Sequence, residues 1–170
     1  MNIATKSRTG MLKMGCSHYQ FVRLRPAIME DLEEMLNIER SSFGDESYQK
    51  ELIEQLLSDK EFHNAIVEVE DVKVGYATFF EDARKKRARL ITIAVMPEYR
   101  NRGLAKALLA FLQKEMGRLR LGIVSLEVGT SNVPATNLYL SLGFRIKGTI
   151  PNYYGKGKDA LYMERSIDRA

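Results

Sequence analysis

Cysteine occurs once in the 170 residues, at Cys16, and histidine twice, at His18 and His63. A single thiol supports neither an internal disulfide framework nor a cysteine-based zinc site, which fits a reducing, cytoplasmic setting. The two histidines stand in isolation and are expected at the surface, so no metal site is predicted. No window approaches the roughly 18 to 20 apolar residues of a membrane span. Residues 1–20 carry basic side chains but no continuous apolar segment of the kind a secretory leader needs. These absences predict a soluble, unexported chain without a membrane partner. What remains, 170 residues with 45% hydrophobic content, suits one compact domain with its own core. The net charge of +4 favours anionic ligands without distinguishing among them. The one dense basic run, Arg84-Lys85-Lys86-Arg87, lies between two strand-like segments with no aromatic interleaved. It reads as a solvated hairpin tip, and direct nucleic-acid binding is not expected.

Residues 1–20 lack periodicity and contain further methionines at Met11 and Met14. They are read as a flexible extension, with a single domain over 21–170. Strand alternation appears at Phe21-Val22-Arg23-Leu24-Arg25. Pro26 is then expected to open a helix with apolar residues at Ile28, Leu32, Met35, Leu36 and Ile38. An acidic loop, Phe43-Gly44-Asp45-Glu46, separates it from a second helix over 47–57. Strands over 65–70, 73–80 and 89–95 should form an antiparallel meander, the first two joined by a tight turn at Glu70-Asp71. Leu104, Leu108, Leu112, Met116 and Leu119 recur at helical spacing. A strand over 124–128, a short helix capped near Ser131-Asn132 and ending at Gly143, and strands over 144–150 and 160–167 complete an α/β (α+β) order of βααβββαβαββ.

Between the third meander strand and the helix at Leu104 the chain reads Arg100-Asn101-Arg102-Gly103-Leu104-Ala105. A glycine-containing loop entering a helix converges several backbone N–H groups, and the positive end of the helix dipole, on a phosphate. Lys106 and the arginines add charge of the matching sign. In the strand over 124–128, Glu127 points away from the face shared by Leu126 and Val128.

That order, the Arg-x-x-Gly-x-Ala loop, and the stretches Ile91-Thr92-Ile93-Ala94-Val95-Met96-Pro97-Glu98-Tyr99-Arg100, Ser125-Leu126-Glu127-Val128 with Ser131-Asn132, and Asn137-Leu138-Tyr139-Leu140-Ser141-Leu142-Gly143-Phe144 resemble the GNAT superfamily of N-acetyltransferases over roughly 21–165. Tyr153-Tyr154 with Asp159-Ala160 and Met163 is more restricted to its N-terminal (Nα) acetyltransferase catalytic subunits and to relatives that acetylate ribosomal-protein N-termini. The resemblance implies acetyl-CoA as cosubstrate, with the pyrophosphate on the 100–106 loop and the pantetheine between splayed fourth and fifth strands at Ile93, Ala94 and Val95. Val95 N–H would then face the thioester oxygen, Glu127 would act as base through a water, and Tyr139 would protonate the departing thiolate. Asn132 and Asn137 would meet coenzyme A groups, although Asn132 reads equally as a helix cap. A peptide N-terminus would be gripped by Asp45, Glu46, Tyr48, Thr92, Ile93, Tyr153 and Tyr154, transfer would be direct within a ternary complex, and an auxiliary or ribosome-associated subunit is a possible partner. A lysine or small-amine acetyltransferase, or a non-catalytic acetyl-CoA-binding subunit, would look similar. The chain departs from the family at Lys156 and Lys158, where relatives are often acidic, and at Gly129, where many have arginine. It departs also at Ala88, where some have a histidine able to pair with Glu127 on a metal.

Overall fold

The computed structural model describes residues 21–167; the expectations for Cys16, His18 and the 1–20 extension lie outside these residues. Seven strands form one sheet in the order β1-β2-β3-β4-β5-β7-β6. They are β1 (Val22–Pro26), β2 (Phe62–Val69), β3 (Val72–Asp82), β4 (Arg87–Val95), β5 (Ile123–Gly129), β6 (Arg145–Ile150) and β7 (Ala160–Ser166). The helices are α1 (Leu32–Phe43), α2 (Lys50–Ser58), α3 (Leu104–Arg118) and α4 (Val133–Ser141). The predicted element order therefore holds. Every neighbouring pair is antiparallel except β4 and β5. The β2–β3 turn has both Glu70 and Asp71 at positive φ, the backbone of a tight two-residue hairpin.

Two apolar layers sandwich the sheet. One side packs α3, through Leu104, Leu108, Leu112 and Met116, against Val67, Phe79, Leu90 and Leu126. The other packs α1 and α2, through Met35, Ile38, Ile53 and Leu56, against Ile66, Tyr76 and Ala94.

The parallel junction is short. Only Arg87↔Ile123, Ala88↔Val124 and Arg89↔Ser125 pair, although β4 runs on to Val95 and β5 to Gly129. Beyond Arg89 the two strands part, leaving a gap in the middle of the sheet. β4 also carries a bulge: Thr78 pairs with Thr92 but Phe79 pairs with Leu90, so Ile91 is an extra residue. A bulge reverses the facing of all that follows. Ala88 and Leu90 face α3, as do Ile93 and Val95 beyond it, whereas Ile91 and Ala94 join the α1–α2 layer. Gly75 is required opposite this segment, because a Cβ there would lie 2.8 Å from the Ala94 carbonyl oxygen.

Several boundaries differ from expectation for identifiable reasons. Pro26 does not open a helix: it ends β1, paired with Ala65, and α1 begins at Leu32 after a 3-10 turn at Met29–Asp31. The cause is Asp31, 1% exposed, whose carboxylate accepts the Ile28 N–H at 2.9 Å, both Arg25 Nη atoms at 2.7 Å and Lys73 Nζ at 2.8 Å. The second helix starts at Lys50 and not at residue 47, because the Tyr48 N–H is bound to Glu39 at 3.2 Å. Arg87 is no solvated tip: it belongs to β4 and pairs with Glu164 and the Tyr162 hydroxyl, while Arg84, Lys85 and Lys86 are exposed in the turn. His63 is not isolated at the surface either; it stacks on Phe79 at 4.6 Å and meets Glu81 at 2.8 Å.

Burial opposes the charge on Asp31, but Arg25, Lys73 and the Ile28 N–H outweigh it and hold its pKa below the usual carboxylate range. The stability this provides is complete above the ordinary aspartate pKa of about 3.9 and disappears as acid protonates the folded form. Asp31→Ala leaves Arg25 its pairing with Glu68 and Lys73 its pairing with Glu34, so the loss of the charged hydrogen bonds is expected to cost about 1.5–3 kcal/mol. Urea denaturation at pH 7 measures this, and the deficit should narrow when the titration is repeated in acid.

Candidate active site

Alternation makes the inner edge of the gap polar. Met96 N–H donates to Val74 O at 2.9 Å, so the amides of Met96 and Ala94 address β3. Those of Val95 and Ile93 address the gap. The Val95 carbonyl is occupied by Arg100 Nε at 2.9 Å, and the same guanidinium reaches Ser42 O at 3.2 Å. Arg100 thus clamps the end of β4 to the end of α1 and does not turn its charge toward the loop.

The gap leads to the start of α3. Asn101 and Gly103 have φ of 60° and 81°, turning the chain so that the first-turn amides point outward. The first intrahelical bond of the run is Ala107 N–H to Gly103 O at 3.0 Å, which leaves the N–H groups of 103–106 available to an anion. Asn101, Arg102, Gly103 and Lys106 are exposed, Ala105 is half-buried, and Leu104 is buried in the core. Leu104 and Ala105 therefore offer backbone, and only Lys106 and Arg102 offer side-chain charge. Asn132 caps α4, its Oδ1 accepting the Ala135 N–H at 3.2 Å. Asn137 is exposed on the same helix.

On the α1–α2 side of the gap, Glu127 stands where alternation predicts, opposite to Leu126 and Val128. Its partner was not foreseen. Arg89, at the last β4–β5 pair, donates Nε to Glu127 Oε2 at 3.0 Å and Nη2 to the Tyr153 hydroxyl at 2.5 Å. Burial works against the Arg89 charge, but the bond to Glu127 and the contact with Tyr153 raise its pKa. Ala88, the position at which some relatives carry a histidine, lies within β4 and faces the α3 layer; one residue of strand parity separates it from Arg89. An arginine at the start of the apolar run 90–95 was the signal for Arg89 in the sequence.

Tyr154 donates its hydroxyl to the Glu127 carbonyl at 3.2 Å and lies edge-on to Tyr153 at 4.8 Å. The Tyr154 ring passes 3.8 Å from where a Cβ on Gly129 would stand, so an arginine at that position would meet the ring. Burial pushes the Tyr154 phenol up to about 12, with Tyr153, Glu127 and Tyr48 adding to it. Tyr48 is half-buried in the same group; burial first and Glu39 second raise its pKa. Tyr139 belongs to the α3-side core, 7% exposed and edge-on to Phe144 at 5.7 Å. Burial, then Tyr154, raises its pKa, so its phenol carries a proton at neutral pH.

Glu127 and Tyr139 sit on opposite faces of the sheet at the gap, Glu127 on the α1–α2 side and Tyr139 in the α3-side core. Arg89, Glu127, Tyr153 and Tyr154 are brought together, while Tyr48 packs on the α1–α2 layer within electrostatic reach of Tyr153 and Arg89. Asp45 and Glu46 are exposed on a 3-10 turn, Glu46 meeting only the Lys158 ammonium at 3.9 Å, and both stand apart from this cluster's bonds. Thr92, 8% exposed, points into the α1–α2 layer. Among the described residues no group of three or more histidine, cysteine or acidic side chains is placed to hold a metal, and no helix is long and apolar enough to cross a membrane.

The model of the acetyltransferase (GNAT) family matches residues 29–144. An N-alpha-acetyltransferase of Sulfurisphaera tokodaii is 32% identical over 152 residues, covering 83% of this chain and 90% of that protein. An N-alpha-acetyltransferase of Saccharolobus solfataricus is 30% identical over 157 residues, covering 85% and 92%. Among solved structures, the ribosomal-protein-S18-alanine N-acetyltransferase of Escherichia coli superposes with a TM-score of 0.79 at 26% identity, over 88% of this chain and 96% of that one.

Proposed function

The chain belongs to the GNAT acetyltransferase family, and we propose that it transfers the acetyl group of acetyl-CoA to the α-amino group of protein or peptide N-termini. The observation that carries the reading is the joining of the late hairpin to the acceptor side of the gap. Arg89 ties Tyr153, and Tyr154 ties itself to β5, so both hairpin tyrosines stand beside Glu127, and we read them with Tyr48 as the walls of an acceptor slot. Rings of this kind sheathe an extended peptide end while their hydroxyls meet its carbonyls. The two similar N-alpha-acetyltransferases support the same acceptor.

The gap and the α3 N-terminus fit acetyl-CoA. The outward amides of 103–106, with Arg102 and Lys106, suit a pyrophosphate, and the Ile93 and Val95 amides suit the pantetheine arm. Acetyl-CoA supplies an activated thioester. Glu127 takes a proton from the incoming ammonium through a water, a light task for an amine whose reference pKa is only about 7.7–8.0. Val95 N–H donates to the oxygen on which charge develops, a contribution of about 3 kcal/mol for a fixed donor. Tyr139, held protonated by burial, gives its proton to the departing thiolate. No residue need be acylated.

Peptides with free and with blocked N-termini test the acceptor. Acetylation of free N-termini is expected; acetylation confined to blocked, lysine-containing peptides or to small amines assigns a different substrate class. Tight coenzyme A binding without turnover of any amine points to a regulatory subunit. Tyr139→Phe is expected to lower kcat by about 10²-fold, within the range of general-acid effects. Titration calorimetry should show its acetyl-CoA affinity unchanged, and undiminished turnover removes Tyr139 from the mechanism.

A further inference from the structure

Glu39 lies on the inward face of α1 and is 1% exposed. The mechanism above does not use it. One carboxylate oxygen accepts the Tyr76 hydroxyl from β3 and the other accepts the Tyr48 N–H at 3.2 Å, with Thr92 of β4 on the same side of the sheet. It is surrounded by the apolar layer of Met35, Ile38, Ile53 and Leu56. Burial removes the hydration of a carboxylate placed there, and its hydrogen bonds only partly offset that cost. What it offers is direction, two hydrogen bonds converging from the α1–α2 loop and from β3.

Those segments are the ones that build the slot. Tyr48 follows the Gly44–Glu46 turn, whose own bond, Ser47 N–H to Gly44 O at 3.1 Å, stays within the turn. Thr92 adjoins the Ile91 bulge that sets which β4 side chains face the acceptor side. Tyr76 pairs with Ala94 on the same strand. We propose that Glu39 is a positioning residue: through Tyr48 and through Tyr76, which pairs with Ala94 of the bulged strand, it holds the α1–α2 loop in register with β3 and β4 on the acceptor side, so that its removal weakens acceptor binding and spares the cosubstrate. The acceptor part of this inference rests on the function proposed above.

Glu39→Leu fills the same space without the two acceptor bonds and is the informative variant. It leaves the buried Tyr76 hydroxyl and the Tyr48 N–H without that acceptor, so it is expected to lower the melting temperature by a few degrees, raise the KM for a free-N-terminus peptide by about tenfold, the effect of losing roughly one well-made hydrogen bond to the slot, and leave the dissociation constant for coenzyme A unchanged. Deuterium exchange should accelerate over residues 44–50. Glu39→Gln, which can still accept the Tyr48 N–H, should recover most of the KM and of the protection. A wild-type KM and wild-type exchange in Glu39→Leu overturn the proposal. So does a parallel loss of peptide binding, coenzyme A binding and melting temperature, the mark of a merely structural residue. If Glu39→Leu fails to fold, Tyr76→Phe removes one arm of the anchor at nearly constant volume, and the same two readouts decide. Should the unaltered protein acetylate no peptide, the acceptor assignment fails, while the exchange over 44–50 still decides whether Glu39 anchors the loop.

Discussion

Replacing Gly103 by valine is expected to abolish useful acetyl-CoA binding. Gly103 has φ of 81° as the residue that enters α3, a conformation that a β-branched side chain adopts only with strain. Relief of that strain rotates the adjoining peptides, and the N–H groups of the first turn no longer converge. Charge-assisted hydrogen bonds are worth about 1.5–3 kcal/mol each. Misdirecting two of them raises the dissociation constant by roughly 10²-fold or more. Titration calorimetry with coenzyme A measures the loss, and Ala110→Val, on the exposed side of the same helix, is the control that should bind normally. A folded Gly103→Val protein with an affinity within about threefold of the original, well under one decade of affinity, rules out the loop as the phosphate cradle.

Glu127→Gln is expected to lower kcat near neutral pH by about 10²-fold, at the low end of general-base effects, with little change in coenzyme A affinity. The direction of its pH dependence follows from the acceptor. Below the amine pKa of about 8 most of the substrate is ammonium and needs a base; above it the neutral amine is already the major form. The deficit of the variant should therefore shrink as pH rises through that value. A deficit of constant size from acid to alkaline pH assigns Glu127 to holding Arg89 and, through it, Tyr153. Arg89→Met separates the two contributions, because it leaves the carboxylate in place and releases the hairpin tyrosine.

Most of the fold was legible from periodicity, while α4 was signalled by its capping residues and β6 is largely exposed. The errors have a common physical origin in side chains that reach across the structure. Nothing local to Pro26 shows that Asp31 will be claimed by Arg25 and Lys73, and so the helix was expected too early. Nothing local to Tyr48 shows that Glu39 will take its amide. In the site, Glu127 was placed on the correct face by simple alternation, but its partner Arg89 was missed because pairing between parallel strands depends on register that no short window contains. The Ile91 bulge is similarly silent in the sequence, and with it the choice of which β4 residues face the slot. Arg100, expected to contribute charge to the phosphate loop, is instead consumed by two carbonyl groups, an outcome set by the distance between the ends of α1 and β4.

The sheet is joined across its middle by three residue pairs, which makes it two leaves, β1 to β4 and β5 to β7, meeting along a short seam. A molecule that lies in the opening and pairs with the Ile93 and Val95 amides acts as a missing length of that seam. Thermodynamic linkage then couples occupancy to cohesion: a ligand present at 100 times its dissociation constant, bound to the folded form alone, adds about 2.7 kcal/mol to the unfolding free energy. The spent carrier, which keeps the same arm, would strengthen the seam almost as well as the charged one. With acetyl-CoA as that molecule, the unfolding free energy between turnovers would follow the total pool of carrier, acylated or free, and only the rate of transfer would read the acylated fraction.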